Sequence, residues 1–501
     1  MEAAMAVNAS SDARQAALSR MLEHQRAAFL RDGPPDLRQR REDLRRLKDA
    51  VVRRRGEIVH ALNTDFGRRS ARETAIAELL PLVRAIDMMS RRLRRWMKPE
   101  RHRVSPYFLF GRAWIMRQPV GVVGIVAPWN YPFSLALLPL ATAIAAGNRA
   151  MIKPSEMTPA TAAVIGRIVE AIFPPEQVAV VTGDADVGAL FTALPFDHLL
   201  FTGSTAVGRK VAVAAGHNLT PVTLELGGKS PVVIEPGFAA ARAAAHIAFG
   251  KLINAGQTCI APDYVLVQEK DREAFVAACG KAMENLYPAG FGASPDYTAV
   301  LNRRHYERLR HLVRDADERG ARIVTLGSEG PRPDKDGRED SHGANHGANH
   351  GDGLGDSLVM PPVLLLDVTP EMAVMQEEIF GPVLPVLTYR TLDEAIAFIN
   401  ARPRPLALYY FGTQRAMQAR VLDRTVSGGV TVNGTLLHYA QEDLPFGGVG
   451  ASGIGAYHGR TGFLAMTHAR AIYRQGRCNV TTILRPPFSR LTDIVIRFLL
   501  R

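Results

Sequence analysis

The sequence predicts an α/β protein built on a parallel, doubly wound sheet, and three observations carry that prediction. Between Val120 and Phe201, short apolar runs rich in β-branched residues alternate with longer helical stretches, which is the pattern of βαβ units. Turn residues close the runs, as in Pro128-Trp-Asn-Tyr-Pro132. A second α/β unit opens at Pro231-Val-Val-Ile234, just past Glu225-Leu-Gly-Gly-Lys229. At 501 residues the chain exceeds one typical core, so two or three domains are expected.

Residues from about 15 to 98 read as helices. Leu44, Leu47, Val51 and Val52 form one apolar stripe, and Ile76, Leu79, Leu80 and Val83 a second. From Ala113 the period changes. Val120–Ala127 reads as a buried strand, Leu135–Ala146 as an apolar helix and Ala150–Lys153 as the next strand. Thr158–Phe173 is helical, with Pro159 suited to its first turn. Val178–Val181 and His198–Phe201 complete the first set of strands.

Composition excludes several classes. The chain is 47% hydrophobic and 22% charged, typical of a globular protein, and no apolar run is long enough for a spanning helix. Met1–Ser10 lacks the layout of a signal peptide. Three cysteines, Cys259, Cys279 and Cys478, are too few for a disulfide framework, which points to a reducing compartment and a cytoplasmic location. The net charge of +12 resides in residues 1 to 118, with 26 Lys+Arg against 14 Asp+Glu. There arginines interleave with leucines and acids, as on the wet faces of amphipathic helices, so no nucleic-acid partner is expected. Residues 334–355 repeat Gly-Ala-Asn-His and read as a surface loop. His342, His346 and His350 recur every four residues, but the surrounding glycines and asparagines oppose a helix, so no metal site is expected. Ser489–Arg501 reads as a short amphipathic helix that docks on its own protein or on a subunit partner, or else touches a membrane surface.

The residues that carry chemistry lie in seven motifs. Cys259 sits in Asn254-Ala-Gly-Gln-Thr-Cys-Ile-Ala-Pro-Asp-Tyr264, and Glu225 lies 34 residues before it beside paired glycines. A thiol among small residues with such a carboxylate suits covalent carbonyl chemistry, one group attacking and the other activating water. Read singly, Cys259 is equally an inert buried cysteine, and Glu225 a satisfied carboxylate at a domain junction. Asn130 sits in the Pro128–Pro132 turn, where it satisfies the turn's own backbone or donates to a developing oxyanion. Phe201-Thr-Gly-Ser-Thr-Ala-Val-Gly208 follows a strand and opens a helix, either as a plain corner or as a phosphate cradle at Gly203. Lys153 and Glu156, in Ile152-Lys-Pro-Ser-Glu156, cap a helix or hold ribose hydroxyls, and a carboxylate there repels a 2′-phosphate. Glu377-Glu-Ile-Phe-Gly-Pro382 and Leu444-Pro-Phe-Gly-Gly448 complete the set. Lys251, eight residues before Cys259, reads as a surface lysine.

Taken together, in this order and spacing, these motifs resemble those of the aldehyde dehydrogenase superfamily over residues 20 to 475. Gln257–Tyr264 and Asn433–Tyr439 look like its class 3 branch, and most like the coniferyl aldehyde dehydrogenases within it. The resemblance implies that Cys259 is the nucleophile, Glu225 the general base, and Asn130 with the Cys259 N–H the oxyanion site. It implies cofactor contacts from Trp129, Lys153, Glu156, Gly203, Ser204, Val207, Glu378 and Phe380, and a substrate pocket with Tyr131, Phe133 and Tyr439. The implied fold has a Rossmann-like cofactor domain (1–100 and 120–225), an α/β catalytic domain (226–432), and a small oligomerisation element and tail (101–119 and 433–501). The implied reaction is oxidation of an aldehyde to a carboxylic acid with NAD, NADP being possible, in a homodimer. An aromatic hydroxycinnamaldehyde such as coniferyl aldehyde is the first substrate choice and a medium or long aliphatic aldehyde the alternative. Acyl transfer to coenzyme A is disfavoured by Glu225, and a non-catalytic binding role by the joint presence of Cys259, Glu225 and Asn130.

Overall fold

The structure is a computed structural model that describes residues 10–105, 108, 110–326, 358–476 and 480–500. Cys478 and the three repeat histidines lie outside the described residues.

The N-terminal region folds into helices, Ser11–Asp32, Leu37–Arg53, Arg55–Phe66, Ala71–Thr74 and Leu80–Trp96. Side-chain caps fix several starts: Asp36 accepts the Gln39 N–H at 2.8 Å, and Ser70 accepts from Arg72 and Glu73. The first apolar stripe is buried at Leu44, Leu47 and Val51, whereas Val52, one step round the helix, is exposed. The second stripe is corrected by the structure: Ile76 and Leu80 are exposed, and the buried positions are Leu82, Ile86, Met89, Leu93 and Trp96. The cause is a π-helical turn at Ala75–Leu79. Its wider turn shifts the helical phase and swings Glu78 inward.

The first sheet has six strands. Their order is Gly453–Ile454, Val222–Glu225, His198–Thr202, Val122–Val126, Arg149–Lys153 and Val178–Val180. All pairings are parallel except that of the edge strand Gly453–Ile454. The strand order reverses direction between Val122–Val126 and His198–Thr202, which opens a crevice outside their carboxyl ends. Helix Ser134–Ala146 is buried at every position. It is apolar all round because it lies between this sheet and helices Leu37–Arg53 and Leu80–Trp96.

The second sheet has seven strands, in the order Arg322–Thr325, Val363–Leu366, Val383–Tyr389, Tyr264–Gln268, Pro231–Ile234, Ala407–Phe411 and Gly429–Val432. Only Arg322–Thr325 runs antiparallel to its neighbour. A third, antiparallel sheet joins Glu100–His102, Arg112–Pro119 and Thr467–Arg474. The segment after 433 therefore does not belong wholly to one peripheral element. Gly453 pairs with Glu225 in the first sheet, and Phe463, in helix Gly459–Ala465, packs its ring 5.5 Å from that of Trp96. The tail helix forms at Arg490–Leu499 with a Ser489–Thr492 capping box, and Leu491, Ile494 and Phe498 on it are exposed. Among the described residues, no helix is long and apolar enough to cross a membrane.

Candidate active site

Strand register assembles the first half of the site. Val126 pairs with both Lys153 and Phe201, and Thr202 pairs with Glu225. Lys153, the Ala127–Asn130 turn, Gly203 and Glu225 thus share one carboxyl edge. The Gly203 N–H donates to the Glu225 carbonyl at 3.0 Å, which ties the phosphate-type turn to the carboxylate strand.

The Cys259 loop supplies the second half. Helix Ala240–Leu252 ends in a tight turn whose next residues adopt left-handed backbone, with φ of 51° at Asn254, 51° at Ala255 and 75° at Gly256. Asn and Gly tolerate this conformation, but Ala255 does not readily, so the surroundings must enforce it. Gln257 provides part of that enforcement. Its side-chain amide donates to Asn254 O at 2.9 Å and Ala299 O at 3.0 Å, and its Oε1 accepts the Leu301 N–H at 2.9 Å. A Cβ on Gly256 would collide with the Gly381 carbonyl, so the thiol loop and the Glu377–Pro382 motif pack backbone to backbone.

Asn130 spans the two halves. Its amide donates to Gln257 O at 3.1 Å, and its own carbonyl accepts from the Asn254 side chain at 3.0 Å. Next to it, the Tyr131 hydroxyl and Thr258 Oγ1 hydrogen-bond at 2.7 Å. Trp129 stacks against His305, with ring centres 4.7 Å apart, and meets Phe380 edge-on at 5.2 Å.

Three ionisable side chains converge here. Glu225 is buried and neither carboxylate oxygen has a hydrogen-bond partner among the described residues. Burial alone pushes its carboxyl well above the ordinary range. Glu378 sits against Gly227, where any Cβ would strike its carboxylate. It accepts the Gly228 N–H, and burial and then Asp263 raise it to about 8. The Cys259 thiol is pushed up by burial and then by the carboxylates of Glu378 and Glu225. Lys251 corrects the surface assignment: it is fully buried, its Nζ has no hydrogen-bond partner, and burial lowers it to about 8.

The residues near the crevice fit a dinucleotide. Helix Thr205–His217 starts at the switch point with Ser204 as its cap, accepting the Val207 N–H at 3.4 Å. Its N-terminus is a ready site for phosphate. A Cβ on Gly203 would strike the Phe201 ring, and Val207 is exposed. Lys153 Nζ reaches Glu156 at 3.2 Å, and the Glu156 side chain is 40% exposed, leaving a carboxylate free for ribose hydroxyls.

Of the expected pocket residues, Tyr131 and Tyr439 border the thiol: Tyr439 packs on Phe446 at 4.9 Å and on His458 at 5.0 Å, and its hydroxyl is raised by burial and then by Cys259. Phe133 is the third expected pocket residue. It is fully buried in the core at the start of helix Ser134–Ala146, a position set by its N–H on Glu78 at 3.0 Å. The sequence reading also missed Arg69, Glu73 and Glu78, which it placed on wet helix faces. Arg69 and Glu78 are buried and Glu73 is half-buried against the two loops. An acid facing inward across a disturbed helical phase leaves no periodicity signal.

Comparison with known proteins follows this geometry. The model described as "Aldehyde dehydrogenase family" matches residues 4–472. A Pseudomonas aeruginosa protein named "Probable coniferyl aldehyde dehydrogenase" is 47% identical over 94% of this chain and 94% of its own length. Among solved structures, the substrate-bound state of Staphylococcus aureus AldH is 38% identical with a TM-score of 0.87, covering 96% of this chain and 99% of that one. A Mycobacterium tuberculosis aldehyde dehydrogenase complexed with NAD+ is 26% identical with a TM-score of 0.78, over 91% and 90%.

Proposed function

The chain belongs to the aldehyde dehydrogenase family and is an NAD(P)-dependent oxidoreductase acting on aldehydes, and from that premise we propose the parts its residues play. The observation that carries the assignment is that Cys259 lies within electrostatic reach of the buried Glu225 carboxylate, which has no hydrogen-bond partner among the described residues, while the Asn130 amide bonds the Cys259 loop.

Cys259, as thiolate, attacks the aldehyde carbon. The Asn130 amide and the Cys259 backbone N–H hold the oxyanion that forms, a contribution typically worth about 3 kcal/mol per donor. NAD, when bound, supplies the hydride acceptor and a cationic ring that offsets the burial penalty on the thiolate. Loss of hydride leaves a thioester on Cys259. Glu225 then takes a proton from water, the hydroxide adds to the thioester, and the thiolate leaves with release of the carboxylic acid. Trp129, Gly203, Ser204, Val207, Lys153, Glu156, Glu378 and Phe380 are proposed to hold the dinucleotide. The exposed Glu156 carboxylate favours NAD over a 2′-phosphorylated cofactor.

The proposed substrate is a hydroxycinnamaldehyde such as coniferyl aldehyde. The name of the similar Pseudomonas protein supports it, as do the aromatic residues Tyr131 and Tyr439 flanking the thiol. A rate profile across cinnamaldehydes and aliphatic aldehydes tests this, and strong preference for decanal would contradict it. The third sheet, whose edge strand Thr467–Arg474 is largely exposed, is proposed as the oligomerisation element of a cytoplasmic homodimer. Light scattering on purified protein tests the dimer.

A further inference from the structure

Beneath the Asn130 turn lies a buried ion pair that the reaction scheme above does not use. Arg69 and Glu78 face each other at 3.3 Å with both side chains fully buried. The Arg69 guanidinium also donates to the Asn130 carbonyl at 3.1 Å. Its flat face lies 4.5 Å from the Phe66 ring centre and 5.2 Å from that of Tyr131, so it cannot swing away. The other Glu78 oxygen accepts the N–H groups of Phe133 at 3.0 Å and Ser134 at 2.7 Å. The pair therefore grips the turn from the Asn130 carbonyl to the start of helix Ser134–Ala146.

Two further observations separate this from ordinary core packing. A buried ion pair adds little net stability compared with apolar groups of the same volume, so its presence under this turn calls for another reason. Moreover, Glu78 reaches the turn only because the helix widens into a π-turn at Ala75–Leu79, a distortion that concentrates at functional sites. Glu73, one turn earlier, extends the bracket to the other loop. It accepts the Thr298 hydroxyl at 2.8 Å and the Asn254 N–H.

We propose that Arg69 and Glu78 are positioning residues that aim the Asn130 amide at the oxyanion formed on Cys259. This rests on the reading of Asn130 as oxyanion donor. Displacing a catalytic group by about 1 Å costs on the order of 100-fold in rate, so loss of the bracket should act on the transition state rather than on substrate binding.

The test is a double-mutant cycle. Arg69→Met is combined with Glu78→Gln, so that neither charge is left buried alone, and the pair is measured with and without Asn130→Ala. The expected result is a fall in kcat and kcat/KM of about 10-fold or more, with aldehyde KM changed by less than about two-fold. In the Asn130→Ala background the same pair should produce no further fall, because it acts through Asn130. Arg69→Lys, which keeps the charge but not the planar fork, should recover part of the rate. An unchanged rate in the pair variant, or an equal fall with and without Asn130→Ala, would overturn the proposal. Full activity of Asn130→Ala by itself would instead remove the oxyanion reading beneath it. Thermal melting separates both outcomes from unfolding. Should the pair variant fail to fold, Arg69→Lys carries the same cycle.

Discussion

The Asn130 side chain donates a 3.1 Å hydrogen bond to the backbone carbonyl of Gln257, two residues before Cys259. Through it, a turn at the end of a first-sheet strand is latched to the loop that leads into the second sheet. The proposed second role of the Asn130 amide is to donate to the oxyanion formed on Cys259. Asn130→Ala should lower turnover by about 100-fold or more. Steady-state NADH formation checks this, and an unchanged rate removes Asn130 from the chemistry.

Gly256 carries a φ of 75°, and any Cβ on it would collide with the Gly381 carbonyl. The left-handed backbone alone costs a side chain about 1 kcal/mol, and the collision falls on backbone that cannot rotate away. Gly256→Ala should therefore lower Tm and cut kcat by about 10-fold or more, because the Cys259 loop must move. Retention of both Tm and kcat would show that the loop is more yielding than its packing implies.

Glu225 has no hydrogen-bond partner for its carboxylate among the described residues, and burial holds its proton well above the ordinary range. A base of this kind is disabled at low pH, so turnover should rise with pH at values well above the ordinary carboxylate range. Glu225→Gln should leave a single-turnover burst of NADH but slow its steady state by about 100-fold or more, since acylation needs no water. Rapid-mixing absorbance distinguishes the two phases. Loss of the burst itself would assign Glu225 to the earlier step.

Glu378 links stability to pH. An ordinary carboxyl releases its proton near 4.5, whereas this one holds it to about 8, chiefly because it is buried. Over that window the folded chain binds more protons than the unfolded chain, so this contribution is full below 4.5 and is lost as pH rises through about 8. Glu378→Gln removes it. The wild-type Tm should drop by a few degrees more than that of the variant between about pH 5 and about pH 8. Parallel curves would contradict the assignment. Glu225 acts in the same direction but is common to both proteins.

Much of this architecture was legible because it depends on local chemistry. Val122–Val126 announces itself as a β-branched run, Arg149–Lys153 and His198–Thr202 as short strands before turn residues, and glycine at 203 and 256 marks close approach. The misreadings arose where distant segments set the environment. Ile76 and Leu80 face solvent because the π-turn at Ala75–Leu79 shifts the helical phase. Lys251 is fully buried, and among the charges near it is that of Glu378, 127 residues away in sequence. Arg69 and Glu78 carry no sequence signal because the backbone groups they hold are remote: the Asn130 carbonyl is 61 residues from Arg69, and the Phe133 N–H is 55 from Glu78.

The central claim is that Cys259 forms a covalent intermediate with an aldehyde. The most direct measurement is NADH formation by the purified full-length protein with coniferyl aldehyde and NAD, run beside Cys259→Ala. The account predicts turnover in the wild type and none in a variant that melts at the same temperature. Equal turnover in both, or no NADH from the wild type with coniferyl aldehyde or any aldehyde of an aliphatic panel, would contradict it.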